Sequence, residues 1–163
     1  MNELQRTTRI ALLTALSLIL FLLEGLLPLP LPVPGAKLGL AALVTLFALY
    51  TLPHMRDAFL VLLLRILLAS FFGGGIAPML YSLAGGVLSF AAMALLKART
   101  QLSIVGISAA GGFLHNMAQL LVAAAVLETT ALFIYAPVLG IVGVLTGILI
   151  GITARGILQK ISR

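Results

Sequence analysis

Six apolar stretches follow one another along the chain, separated by short polar breaks or by segments rich in proline and glycine. A helix that crosses the hydrocarbon core of a bilayer needs about 20 apolar residues, within a range of about 17 to 25. The pattern therefore predicts an all-α membrane protein with a single transmembrane domain. Its six transmembrane helices are predicted at residues 10–27, 38–52, 58–72, 78–96, 102–127 and 131–154.

The second and third stretches are the shortest, at about 15 residues each. To cross the membrane, they must recruit flanking residues or thin the bilayer locally. A re-entrant pair that enters and leaves on one side is the alternative. Between the first and second stretches, four prolines within residues 28–34 forbid a helix and predict an extended, stiff loop.

Composition supports the membrane assignment and excludes several functional classes. Hydrophobic residues make up 62% of the 163 residues and charged residues 9%, against about 25% charged residues in soluble domains. The absence of cysteine excludes a disulfide framework and a thiolate metal site. The net charge of +6 comes from scattered basic residues rather than a basic face, so we expect no nucleic-acid partner.

The positions of the basic residues predict the orientation. If both termini are cytoplasmic, only Lys37 of the ten basic residues lies outside, and Arg65 lies within the membrane. The remaining eight are then cytoplasmic, as the positive-inside rule requires: Arg6, Arg9, Arg56, Lys97, Arg99, Arg155, Lys160 and Arg163.

Two charged residues lie inside predicted helices, where the bilayer disfavours them. Arg65 is near the middle of the third stretch, at an insertion cost of about 2.5–3.5 kcal/mol, so we expect it to face the bundle interior. Glu24 lies near the outer end of the first stretch. The two residues form either a structural ion pair or, with Arg65 as a fork for an anionic group, part of a ligand site.

A second polar cluster interrupts the fifth stretch. His115 and Gln119 share a helical face because they are four residues apart, and Asn116 lies beside them. The cluster is either interhelical hydrogen-bonding glue or a ligand-binding face. One imidazole without a second strong ligand is a poor metal site, so we expect no metal.

Small residues at four-residue spacing mark two helix faces. Gly143, Gly147 and Gly151 indicate close internal packing of the last helix. Ala11 and Ala15 mark the first helix, where the alternatives are ordinary packing and a docking ridge for another membrane protein.

Recognisable enzyme motifs are absent. The sequence contains no GxxxxGK[ST], GxSxG or HExxH pattern. Asp57 is the only aspartate, so an aspartate-rich cluster that holds magnesium against a diphosphate cannot form. We therefore expect no catalytic residues and no cofactor.

Several segments together resemble one family over essentially the whole chain, the small membrane proteins labelled heptaprenyl diphosphate synthase component I, also called Gx transporter proteins. The family is similar in turn to the substrate-binding S components of energy-coupling factor (ECF) transporters. The segments that carry the resemblance are Pro34-Gly-Ala-Lys-Leu-Gly-Leu-Ala41, Arg65-Ile-Leu-Leu-Ala-Ser70, Ser82-Leu-Ala-Gly-Gly86, and Ser108 followed by His115-Asn-Met-Ala-Gln119.

The resemblance implies a six-helix S-component-like bundle in a prokaryotic cell membrane. Such a subunit captures a small ligand from outside and docks onto a transmembrane coupling protein through an Ala-x-x-x-Ala ridge, which Ala11 and Ala15 fit. Uptake is then driven by partner ATPases. The candidate substrate-binding residues are Arg65, His115, Asn116, Gln119, Lys37, Glu24 and Ser82.

The pocket built from these residues suits a small amphipathic or anionic ligand, such as an isoprenoid or quinone precursor or a vitamin-like molecule. Two alternative functions stay open. The first is an accessory membrane subunit of heptaprenyl diphosphate or quinone-precursor synthesis, as the family label suggests. The second is a non-catalytic membrane assembly protein.

Overall fold

A computed structural model describes residues 2–26 and 39–161, and all the regular structure in these two ranges is helical, without a strand. This confirms the all-α prediction. A π-helical turn, Ser70–Gly74, continues the third helix, and a 3-10 helix, Thr130–Tyr135, precedes the sixth. The six α-helices are α1 (Glu3–Leu26), α2 (Leu40–Thr51), α3 (Met55–Ala69), α4 (Ile76–Arg99), α5 (Ile104–Val126) and α6 (Ala136–Ile161).

The first helix begins seven residues earlier than its apolar stretch, at Glu3 rather than Ile10. Asn2 and Gln5 form a reciprocal cap, in which the Gln5 N–H donates to Asn2 Oδ1 over 2.9 Å and the Asn2 N–H donates to Gln5 Oε1 over 3.2 Å. Such a cap satisfies free backbone donors at the start of a helix. It lets a polar turn precede the apolar part of α1.

Four helical segments are long and apolar enough to cross a membrane: Glu3–Leu26, Met79–Arg99, Ile104–Val126 and Thr130–Ile161. With 12 and 15 residues, α2 and α3 are shorter. At 1.5 Å per residue they extend about 18 and 22 Å, less than the roughly 30 Å of a hydrocarbon core.

The two short helices form the centre of the bundle. On α2, Leu46 and Ala48 are fully buried, and on α3 Val61 and Ile66 are at most 1% exposed. A helix that is apolar on all sides belongs in an interior, and α2 packs against α1, α3 and α6. The long helices turn apolar side chains outward instead, including Leu12, Leu16 and Ile19 of α1 and Ile141, Leu145 and Leu149 of α6.

An ion pair joins the beginnings of α1 and α3. The guanidinium of Arg6 donates to both carboxylate oxygens of Asp57, over 2.6 Å (Nη2 to Oδ1) and 2.9 Å (Nε to Oδ2), and Asp57 is 2% exposed. This bidentate contact places α1 and α3 side by side in the same direction. We call this end of the bundle the Arg6 end, and the opposite end, where α1 finishes, the Glu24 end.

Glycines bring α5 and α6 into backbone contact. A Cβ on Gly147 would lie 2.5 Å from the carbonyl oxygen of Ser108 and 2.8 Å from the Cα of Ala109, and a Cβ on Gly151 would lie 2.7 Å from the Cα of Val105. Small residues permit this close approach in membrane bundles. The glycine ridge of the last helix therefore serves internal packing.

We expect Gly147→Ala to lower the thermal unfolding midpoint of the purified protein, because its methyl group would overlap backbone atoms of α5 that cannot yield. Overpacking of this kind costs about 1–3 kcal/mol. Gly156→Ala is the matched control, since no atom lies within 4 Å of the added methyl group. Equal melting curves for the two variants would contradict the proposed backbone contact.

Candidate ligand-binding site

Arg65 is the buried cation at the centre of the candidate site. It lies on α3 and is 5% exposed, and its Cζ lies 5.8 Å from the centre of the Phe21 ring on α1. Its Nε is buried and has no hydrogen-bond partner among the residues that the structure describes. Within residues 2–26 and 39–161, no carboxylate lies within 4.0 Å of it. The guanidinium is thus held by an aromatic face, while a donor remains unsatisfied.

Glu24, the acidic residue that was the candidate ion-pair partner of Arg65, binds other groups. Its carboxylate accepts hydrogen bonds from the N–H groups of Gly39, over 2.7 Å, and Leu40, over 3.0 Å. Both donors belong to the beginning of α2, where free N–H groups and the helix dipole favour a negative charge. Glu24 therefore caps α2 rather than forming a contact ion pair with Arg65, although its charge still acts on Arg65.

Gly39 makes this cap possible through its backbone conformation. Its φ of 80° lies in the left-handed region, which L side chains rarely adopt. A Cβ at this position would also lie 3.2 Å from Cδ1 of Ile150 on α6. Glycine thus lets the chain turn both N–H groups toward Glu24.

His115 and Gln119 extend the site onto α5. Their Nε2 atoms are 3.1 Å apart, as expected for residues four positions apart on one helical face. Both pack against Gly85 of α4, where a Cβ would lie 3.0 Å from His115 Nδ1 and 2.9 Å from Gln119 Cγ. The imidazole is also near enough to Arg65 for the charge of the guanidinium to act on it. The structure thus brings α3 and α5 polar groups together across α4.

The remaining predicted site residues are placed differently. Asn116 turns toward α6, where its Nδ2 donates to the carbonyl oxygen of Leu139 over 2.9 Å, so it links α5 to α6. Ser82 is half-buried on α4, one turn toward the Glu24 end from Gly85 and Gly86. Lys37 and the proline-rich loop lie outside the described residues.

Sequence reasoning singled out Glu24 but missed the stripe of residues to which it belongs on the inward face of α1. It consists of Thr14, Ser17, Phe21 and Glu24, at spacings of three and four residues. Ser17 Oγ donates to the carbonyl oxygen of Ala41 over 3.1 Å, whereas Thr14 Oγ1 is buried without a hydrogen-bond partner. The helical spacing of these residues could have revealed the stripe, including Phe21 as the aromatic partner of Arg65.

Ala11 and Ala15 lie on the opposite, exposed face of α1. Neighbouring side chains on this face are apolar and also exposed, with Leu12 at 64% and Leu16 at 47%. Toward the Arg6 end, an open recess of about 560 Å³ is lined by Leu4, Gln5, Thr8 and Arg9. The two alanines therefore take no part in packing the bundle.

The arrangement presents a buried cationic donor that a ligand with an acceptor group would satisfy. A guanidinium with an unsatisfied Nε lies beside an aromatic ring and within electrostatic reach of a hydrogen-bonded imidazole–amide pair. No cluster of three His, Cys, Asp or Glu side chains that could hold a metal occurs in the described part of the chain. Four long apolar helices around this buried polar centre are consistent with a multi-pass membrane protein.

Sequence comparison identifies the family within that class. The chain belongs to the heptaprenyl diphosphate synthase component I family, whose model matches residues 13–157. This confirms the resemblance of the sequence motifs to that family. No curated protein and no solved structure matches the chain.

We expect Glu24→Gln to loosen the beginning of α2, because an amide oxygen replaces a charge that accepts two backbone hydrogen bonds. Hydrogen bonds to charged groups contribute about 1.5–3 kcal/mol, so the amides of Gly39 and Leu40 should exchange roughly ten times faster or more. Hydrogen exchange measured by mass spectrometry checks this. Glu3→Gln, the same change at an exposed position of α1, should leave these amides unchanged; equal exchange in both variants would disprove the cap.

Proposed function

We propose that this chain is a substrate-binding subunit of a membrane transporter, similar to the S component of an ECF transporter. It captures a small amphipathic or anionic ligand from outside the cell, and partner ATPases drive uptake through a transmembrane coupling subunit. The chain itself catalyses no reaction. The unsatisfied, buried Nε of Arg65 is the observation that supports this proposal most directly.

A buried guanidinium whose Nε has no hydrogen-bond partner among the described residues is costly in an apolar bundle. Inserting an arginine at the centre of a transmembrane helix costs about 2.5–3.5 kcal/mol, and an unsatisfied buried donor adds about 1–3 kcal/mol. The Phe21 ring offsets a part of this, since a cation–π contact contributes up to about 2 kcal/mol. A purely structural residue would have a closer partner. A ligand that brings an acceptor to Arg65 accounts for the cost.

The proposal includes six membrane-crossing helices with both termini in the cytoplasm of a prokaryotic cell. The burial of α2 and α3 at the bundle centre supports it, because neighbouring helices rather than lipid cover most of their length. The basic residues support the orientation, since the Arg6 end carries Arg6, Arg9, Arg56, Lys97 and Arg99. The Glu24 end then faces outward.

This topology predicts opposite labelling at the two ends of the bundle. The chain has no native cysteine, so single cysteines can be introduced without interference. In intact cells, a membrane-impermeant thiol reagent should label a cysteine replacing Pro32 and leave one replacing Ala98 unlabelled. The reverse pattern would invert the orientation and place the ligand entrance on the cytoplasmic side.

Removal of the guanidinium should remove the ligand. We expect the small molecules that co-purify with the native protein to be at least about tenfold less abundant in purified Arg65→Ala. A hydrogen bond to a charged group contributes about 1.5–3 kcal/mol, and its loss lowers the affinity accordingly. Arg65→Lys should recover little, since an ammonium cannot form a bidentate fork. Mass spectrometry of the purified protein measures both.

Arg56→Ala is the matched control for these variants, because Arg56 is exposed on the same helix. Its bound compounds should equal those of the native protein. Normal retention by a folded Arg65→Ala variant would mean that Arg65 has a structural role and that the ligand binds elsewhere.

Ala11 and Ala15 are proposed as the docking ridge for the coupling subunit, because they are exposed and adjoin the open recess at the Arg6 end. Trp at both positions should prevent close helix approach and abolish co-purification with coupling and ATPase subunits, while ligand binding persists. Trp at Ala91 and Leu95, an exposed pair at the same spacing on α4, is the control. If the α1 variant assembled as well as the α4 variant, the docking ridge would be refuted.

The family description favours a second candidate, an accessory membrane subunit of heptaprenyl diphosphate synthesis. The chain would then assist a separate catalytic subunit rather than catalyse the reaction itself. Its single aspartate, Asp57, is paired with Arg6, so it offers no aspartate cluster to hold magnesium against a diphosphate. Co-purification distinguishes the candidates. ATPase subunits support the transporter, whereas a soluble prenyltransferase supports the biosynthetic role.

A further inference from the structure

We propose that the head group bound at Arg65 is a single carboxylate-type monoanion, and that the site discriminates against a diphosphate. This inference deepens the proposed binding function and rests on it. Three observations support it: the balance of charge around Arg65, the Phe21 ring beside its guanidinium and its unsatisfied Nε.

Arg65 is the one cation in the interior of the described helices. The other basic residues in the described ranges lie in the first or last turns of helices at the Arg6 end or in the final turns of α6: Arg6, Arg9, Arg56, Lys97, Arg99, Arg155 and Lys160. Arg6 is further committed to Asp57. A ligand head group near Phe21 therefore meets one positive charge from this part of the protein.

Two neighbours of Arg65 limit the charge that it can balance. Glu24 keeps a carboxylate within electrostatic reach of the guanidinium while it caps α2. In the amide orientation of the structure, Gln119 Nε2 donates to His115 Nε2, which makes His115 a neutral imidazole with its proton on Nδ1. The imidazole thus adds a polar contact and no second cation.

The shape of the exposed donor set also favours a carboxylate. The guanidinium carbon of Arg65 lies 5.8 Å from the centre of the Phe21 ring, which occupies one side of it, while the unsatisfied Nε–H, one of the N–H donors of the guanidinium, remains open to a ligand. Two carboxylate oxygens match two such donors in one plane. A diphosphate would bring at least one further negative charge next to Glu24, and an uncompensated charge in a low-dielectric interior is strongly unfavourable.

Three probes with the same apolar tail test this inference: farnesoic acid, farnesol and farnesyl diphosphate. Their dissociation constants are measured on the full chain in lipid nanodiscs. We expect the acid to bind at least about tenfold more tightly than either the alcohol or the diphosphate. In Arg65→Gln, the acid should lose its advantage over the alcohol. In Glu24→Gln, the diphosphate should gain relative to the acid, because one repelling charge is removed.

The failures of this inference and of the proposed function are distinguishable. If the diphosphate binds as tightly as the acid or more tightly, and binding still depends on Arg65, the monoanion inference is wrong and the ligand site stands. Equal affinities of the acid and the alcohol in the native protein would also overturn the inference. If none of the probes binds, or if binding is unchanged in Arg65→Gln, both the inference and the assignment of the site to Arg65 are contradicted.

Discussion

The guanidinium of Arg65 is a positive charge buried in an apolar interior, and its nearest neighbours do not neutralise it. The proposed ligand site depends on this one interaction. The guanidinium lies over the Phe21 ring, and the charge of Glu24 acts on it without a contact ion pair. Glu24 of α1 and His115 of α5 both lie within electrostatic reach of this one residue. The cost of the burial is of the same order as the free energy that a bound anion could return.

The hydrogen bonds of Glu24 to the beginning of α2 explain why it forms no contact ion pair with Arg65 and how the short helices are held. Two backbone hydrogen bonds connect the end of α1 to the beginning of α2, and Gly39 supplies the left-handed turn that aligns them. At the other end, the Arg6–Asp57 pair fixes α1 to α3. Because α1 carries both attachments, its outer face and two residues of the candidate site, Phe21 and Glu24, belong to the same helix. A partner that contacts the outer face therefore lies one helix away from Phe21 and Glu24.

The helical architecture could be predicted from the sequence because apolar stretches and Pro- or Gly-rich breaks are local signals. The start of α1 could not, since hydrophobicity alone ignores the Asn2–Gln5 cap. The Arg6–Asp57 pair joins residues 51 positions apart, which helical spacing does not reveal. The central burial of α2 is also not a local signal, because it depends on which helices surround it.

The candidate site shows the same division between local and tertiary information. The pairing of His115 with Gln119 follows from four-residue spacing. Asn116 follows His115 directly, and a rotation of about 100° per residue turns it to α6. Glu24 caps α2 only because the fold brings the beginning of α2 next to it. Sequence alone therefore could not decide whether Glu24 pairs with Arg65 or caps a helix.

The most direct test of the central claim is a measurement at the Arg65 Nε itself. Solid-state NMR on arginine-¹⁵N protein, with the other arginines assigned through single substitutions, can measure dipolar coupling to farnesoic acid labelled with ¹³C at its carboxylate. Our account predicts that the Nε couples to the probe carboxylate in the loaded protein and to no protein carboxylate in the empty one. Coupling of Arg65 to the Glu24 carboxylate in both states, with none to the bound probe, would contradict it.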